Sequence, residues 1–182
     1  MPLATTSVLL DPEDILLRAG VRAGFVVADL GCGTTGHFIL PAARMVGGNG
    51  RAIAVDIIKS ILTSVGSRAR FEGLSSLETL WGDCERPGGV KLAADTCDIT
   101  LVINNLYQAK NRVVFLAEAA RITKLGGKVV IIDWKTVATP LGPPPAQRVA
   151  PEVISPEAEK VGLTWVESYE PGPYHWGMNF TK

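Results

Sequence analysis

The chain has 182 residues, 18 Lys+Arg against 18 Asp+Glu, and an apolar fraction of 47%. That suffices for one domain with its own core, and the charge balance argues against wholesale binding to nucleic acid or an anionic membrane surface. No apolar tract reaches the length of an integral membrane segment, and Cys32, Cys84 and Cys97 lack the spacing of a disulfide framework or a thiolate zinc site, so a cytoplasmic protein without a metal is expected.

Residues 1–7 read as a flexible start. Asp11 then offers an N-cap and Pro12 suits the first helical position, with Asp14 able to reach back in a capping box and Gly20 as the stop. Residues 25–30 form a short apolar run that ends in a glycine-rich turn, as a buried parallel strand does, and a helix is predicted over 37–46. The theme repeats with a turn at 47–50, a strand over 52–56 and a helix over 59–70. A weaker strand follows over 77–81, another over 98–104, a helix over 112–124 and a fifth strand over 128–134 after Gly126-Gly127. Strands alternating with helices imply a parallel sheet covered on both faces. Beyond Trp134 a Pro-rich loop at 139–145 leads to a helix over 156–161. Segments 163–168 and 174–181, joined by Glu170-Pro171-Gly172-Pro173, form an antiparallel hairpin at one edge.

The residues that carry chemistry stand at the carboxyl ends of these strands, where open parallel sheets bind ligands. The loop Asp29-Leu30-Gly31-Cys32-Gly33-Thr34-Thr35-Gly36 lets a ligand approach the backbone and a helix N-terminus. Asp56, twenty residues beyond Gly36, can accept both hydroxyl protons of a ribose, or serve the start of the next helix. Gly31-x-Gly33-x-x-Gly36 satisfies the dinucleotide fingerprint, so an NAD(P)-binding oxidoreductase is the alternative. Against it stands Asp29, two residues before the first glycine, where a carboxylate would repel a pyrophosphate and attract a ligand ammonium.

Val26-Val27-Ala28-Asp29-Leu30-Gly31-Cys32-Gly33-Thr34 resembles motif I of the class I S-adenosylmethionine-dependent methyltransferases. Ala54-Val55-Asp56 is similar to their ribose-binding acid, Gly82-Asp83 to their adenine-side motif, and Asp98-Ile99-Thr100-Leu101-Val102 to their fourth strand. Glu118-Ala119-Ala120-Arg121-Ile122-Thr123-Lys124-Leu125-Gly126-Gly127-Lys128 resembles the stretch before their fifth strand. The resemblance runs over about 12–180 and is nearest to the small-molecule branch that includes the ubiquinone/menaquinone methyltransferases. It implies a Rossmann-like, doubly wound, mostly parallel seven-stranded sheet with a C-terminal antiparallel hairpin and helices on both faces. It also implies one methyltransferase domain over 1–182, with an N-terminal lid and helix to residue 22, a cofactor-binding core over 23–134 and the remaining segments over 135–182.

Carried onto this chain, the resemblance implies S-adenosyl-L-methionine as cofactor. Asp29 would serve its amino group, Gly31, Cys32 and Gly33 the close backbone approach, and Asp56 the ribose with Ile57 on the adenine face. Gly82, Asp83 and Cys84 would line the adenine, and the Asn104 backbone the methionine end. Two departures stand out: a glycine at 36 where the family has it at 35, and Asn104-Asn105-Leu106-Tyr107-Gln108 where that branch carries histidines.

The acceptor is expected to be a small molecule methylated by in-line displacement. Tyr107, directly after the fourth strand, and His37 are the catalytic candidates, with Gln108, Lys135, Arg148 and His175 also placed to line the acceptor side. His37 also reads as a first-turn helix residue, Tyr107 as a structural aromatic, and His175 beside Trp176 as packing or hairpin surface. A non-catalytic S-adenosylmethionine-binding module is the other class of reading. So little chain remains outside the sheet and its helices that a partner copy, in a homodimer, could complete the acceptor pocket.

Overall fold

The structure, a computed structural model, describes residues 9–182; the expected flexible start lies outside them. Pro12–Ala19 form α1, Val26–Leu30 β1, Ile39–Val46 α2, Arg51–Asp56 β2, Lys59–Phe71 α3 and Leu77–Trp81 β3. Cys97–Ile103 form β4, Arg112–Ile122 α4, Thr123–Trp134 β5, Pro151–Lys160 α5, Thr164–Gly172 β6 and His175–Thr181 β7, with a 3-10 turn at Pro145–Gln147. The seven strands lie in the order β3-β2-β1-β4-β5-β7-β6, all parallel except that β7 runs antiparallel to both β5 and β6.

Sequence alternation decides which face each strand residue serves, because successive side chains point to opposite sides. Val27, Ala52, Ala54, Ile99, Leu101, Val130 and Ile132 pack with α1, α2 and α3. Ala28, Leu30, Ile53, Val55, Val102, Val129 and Ile131 pack with α4 and α5 on the other face. Both faces are therefore dry, and β1, β2 and β4 read as continuous apolar runs.

Local chemistry explains the ends of the elements. Asp11 accepts from the backbone N–H groups of Glu13 and Asp14, and Gly20 closes α1 in the left-handed conformation; Asp14 contributes its N–H to this cap, not its carboxylate. Several boundaries differ from expectation, among them the start of β5, which lies at Thr123 rather than 128, so that Gly126 and Gly127 fall within the strand. The fifth helix begins at Pro151, five residues earlier, and carries Pro156 inside it. Pro156 has no N–H to offer the Glu152 carbonyl, a loss tolerated because Glu152 is exposed and water can serve it. The fourth helix stops at Ile122 instead of 124, because the Thr123 hydroxyl bonds both the Ala119 carbonyl and the Thr100 hydroxyl at 2.7 Å and draws the chain into the sheet. The hairpin turn shrinks to Pro173 and Tyr174, with Pro171 held on the edge strand β6, where a missing N–H costs little.

Candidate functional site

From β1 the chain builds outward to β2 and β3, then returns to place β4 on the other side of β1, so the loops after β1 and β4 diverge and leave a crevice. A cavity of about 790 Å³ lies there. Asp29, Gly31, Cys32, Gly33, Asp56, Ile57, Gly82, Asp83, Cys84 and Asn104 all line it. Thus every residue assigned above to the cofactor borders one space.

The floor begins with the glycine loop. Gly31 and Cys32 donate their N–H groups to the Val55 carbonyl at 2.8 and 3.0 Å, tying the loop to β2. The Asn105 amide clamps the same loop from β4, donating to the carbonyls of Leu30 at 2.9 Å, Gly31 at 3.3 Å and Ile103 at 2.8 Å. Gly31 has φ +73° and its missing Cβ leaves room for the Asn105 side chain, so no other residue fits. Gly36, also at positive φ, lies outside the cavity lining; a Cβ there would press on Leu40 and Val65 at 3.3 Å, so its smallness serves helix packing. Asn105 was not singled out from sequence, although its amide beside a glycine loop could have been.

Asp56 receives the Ile58 N–H at 2.9 Å and the Gly33 N–H at 3.4 Å. It makes an Asx-type turn ahead of α3 and bonds the loop facing it, while bordering the cavity. Asp83 receives the Glu85 N–H at 3.0 Å, and the Trp81 indole donates to the Ile57 carbonyl at 2.8 Å, fixing Ile57 half-exposed at the mouth.

Electrostatically the cavity is one-sided. Asp29, Asp56, Asp83 and Glu85 line it, and no lysine or arginine of the described residues does. Burial, then the neighbouring Asp56 carboxylate, pushes Asp29 up to about 7. A ligand ammonium would relieve that cost, whereas a pyrophosphate would add to it. Burial holds the Cys84 thiol near 12 and raises that of Cys32 as well, so both are protonated packing groups rather than thiolates.

The acceptor candidates separate. His37 borders the cavity, exposed, its Nε2–H donating to the Leu10 carbonyl at 3.1 Å, and so ties the segment before α1 to the start of α2. Gln108 also lines the cavity. Tyr107 does not: its side chain packs against the core cluster under α4 and α5, and its N–H donates to Asp133 at 3.0 Å. The turn after β4 explains this, since Asp133, buried and raised to about 6, draws the Tyr107 backbone toward β5. Lys135 pairs with Glu170 at 3.1 Å outside the cavity lining. Arg148 is consumed structurally, donating to the carbonyls of Pro143, Lys135, Val137 and Leu141 at 2.7–3.1 Å.

His175 is the surprise. It is 1% exposed, lines the cavity, and packs against Trp134 with the ring centroids 4.1 Å apart and the planes tilted by 40°. The pairing Trp134↔His175 explains its position: β7 runs antiparallel, so its first residue meets the carboxyl end of β5. Neither of its nitrogens has a hydrogen-bond partner, and the Asn104 Oδ1 is likewise unpartnered. Each such buried group costs about 1–3 kcal/mol.

Comparison with known proteins agrees with this architecture. The family description "Methyltransferase domain" matches residues 28–131. The chain belongs to that family. It is 32% identical over 126 residues to the ubiquinone/menaquinone biosynthesis C-methyltransferase of Bordetella parapertussis, covering 69% of this chain and 47% of that one. It is 27% identical over 121 residues to the demethylmenaquinone methyltransferase of Oceanobacillus iheyensis, covering 66% and 49%. The chain thus spans about half the length of these curated relatives. Among solved structures, a SAM-dependent methyltransferase from Aquifex aeolicus superposes with a TM-score of 0.87 at 26% identity, covering 94% of this chain and 89% of that one.

Proposed function

We propose that the chain transfers a methyl group from S-adenosylmethionine to a small, largely apolar acceptor by in-line displacement. The observation that carries this reading is that Asp29, Asp56, Asp83 and Glu85 line the cavity with no Lys or Arg of the described residues beside them, Asp29 being buried next to Asp56 and raised to about 7. A cofactor with an ammonium and a sulfonium gains from such a lining, and a dinucleotide pyrophosphate loses. The reading assigns the ammonium to Asp29, the ribose hydroxyls to Asp56 and the adenine to the wall formed by Ile57, Gly82, Asp83 and Cys84. Gly31, Cys32, Gly33 and Asn104 bring backbone close to the methionine portion.

Methyl transfer from a sulfonium needs chiefly a nucleophile held in line, so positioning by the cavity wall supplies most of the catalysis. Ile103, Phe115 and Trp134 add apolar side chains to that wall, which supports a flat organic acceptor. The names of the quinone-biosynthesis relatives point the same way. Cytoplasmic residence is supported by three free, buried cysteines. No helix among the described residues is long and apolar enough to cross a membrane.

Calorimetry with S-adenosylmethionine, S-adenosylhomocysteine and NAD tests the proposal: the first two bind and the third does not. Asp56→Ala weakens cofactor binding roughly 10–100-fold, the worth of a charge-assisted hydrogen-bond pair. Binding of NAD in preference to S-adenosylhomocysteine, or an unchanged affinity in Asp56→Ala, overturns it. A screen of quinols, phenols, amines and thiols for methylated product then identifies the acceptor and separates an enzyme from a cofactor-binding module.

A further inference from the structure

His175 and Trp134, on neighbouring antiparallel strands, both line the cavity, their ring centroids 4.1 Å apart and their planes tilted by 40°. The imidazole is buried, yet both of its nitrogens lack partners. A buried side chain with this much unmet hydrogen-bonding capacity, bordering a cavity, is placed to meet something in it. No hydrogen bond fixes the ring, so turning it about Cβ–Cγ to present a nitrogen breaks none. Resting on the methyltransferase reading above, we infer that His175 is a specificity-determining residue for the acceptor: its neutral imidazole accepts a hydrogen bond from an uncharged O–H or N–H group on a flat acceptor seated against Trp134.

The surroundings define the chemistry of that group. Burial, with Arg148 and Lys135 nearby, drives His175 down to about 4, so the ring is uncharged at neutral pH and offers one lone pair and one N–H. Arg148 spends its guanidinium on four loop carbonyls, and Lys135 pairs with Glu170, so neither is left to bind an acidic acceptor. A neutral donor on an aromatic or similarly flat body is what the imidazole, the indole and the unpartnered oxygen of Asn104, which lines the same cavity, match together.

The test uses phenol and toluene, which share a shape and differ in the hydroxyl, with the protein saturated in S-adenosylhomocysteine. The chain has two histidines, so 15N-histidine spectra of the wild type and of His37→Gln assign the His175 ring signals without ambiguity. Phenol is expected to bind about 10-fold tighter than toluene and to shift the His175 nitrogen that accepts the bond. His175→Phe, which keeps a ring in place, brings the two ligands within about twofold while S-adenosylhomocysteine affinity is retained. Equal binding of phenol and toluene to the wild type overturns the inference. So does phenol binding that leaves the His175 signals unmoved, or a persistent bond from His175 to an ordered water that phenol does not displace. Failure of S-adenosylhomocysteine itself to bind the wild type would instead strike the cofactor reading.

Discussion

Asp29 is buried at the carboxyl end of β1 beside Asp56, and it is held near 7, far above the ordinary 3.8. Its folded state therefore binds a proton more tightly than the unfolded chain does. Between about pH 4 and 7 the folded form holds the extra proton, so the ligand-free protein loses stability as pH rises through that window. At 1.36 kcal/mol per pH unit the loss from this group is at most about 4 kcal/mol. A bound ammonium reverses the preference and draws the proton off. Binding of S-adenosylhomocysteine at pH 6 should accordingly release up to about one proton, visible as a dependence of calorimetric enthalpy on buffer ionisation enthalpy. At pH 8, where Asp29 is already ionised, the release should vanish. Asp29→Asn should abolish the release, weaken binding about 10-fold or more, and raise the ligand-free melting temperature at pH 8. Such a variant separates a residue kept for its ligand from one kept for the fold.

At the scale of elements, the Glu118–Arg121 ion pair docks the segment from β3 to β4 on α4. Glu118 on α4, 3% exposed, receives the N–H groups of Gly88 at 2.7 Å and Val90 at 3.2 Å and a forked bond from Arg121. Arg121 in turn donates to the carbonyls of Leu92 and Val90. The loop carrying Gly82, Asp83 and Cys84 is thereby docked on a helix whose own contribution to the cavity lining is Phe115. Glu118→Ala leaves two loop N–H groups and a guanidinium without their partner, and should cost about 3–5 kcal/mol in urea unfolding. Glu118→Gln should recover part of it.

How much of this was legible follows from how local each signal is. The Asp11 cap, the Gly20 stop and the strands buried on both faces were readable because a few neighbouring residues dictate them. The start of α5 was misplaced because Pro151 and Pro156 are equally good first-turn residues, and only the carbonyl left to water beside Pro156 distinguishes them. The sequence leaves the placement of His175 open between acceptor lining and packing, and assigns Arg148 to the acceptor side, for a longer-range reason. One depends on the antiparallel register between β5 and β7, the other on four carbonyls scattered over a proline-rich loop.

At the scale of the whole molecule, balanced net charge conceals a polarised cavity: 18 acids and 18 bases cancel over the chain, but the cavity lining takes four carboxylates and no Lys or Arg of the described residues. The ligand-free fold thus carries a local repulsion that a cationic ligand removes, and binding should register as global stability. Ligand at 100 times its dissociation constant stabilises the native state by about 2.7 kcal/mol. For a domain of this size that is a rise of roughly 5–10 °C in melting temperature. S-adenosylmethionine and S-adenosylhomocysteine should both produce it, and NAD at the same concentration should not. Sinefungin, which carries an amine where the cofactor has its sulfonium methyl, should match or exceed S-adenosylhomocysteine. If instead the uncharged fragment 5′-methylthioadenosine, lacking the amino acid, stabilises as strongly as S-adenosylhomocysteine, then the acidic floor contributes nothing to binding, and the carboxylate cluster must be explained by the fold alone.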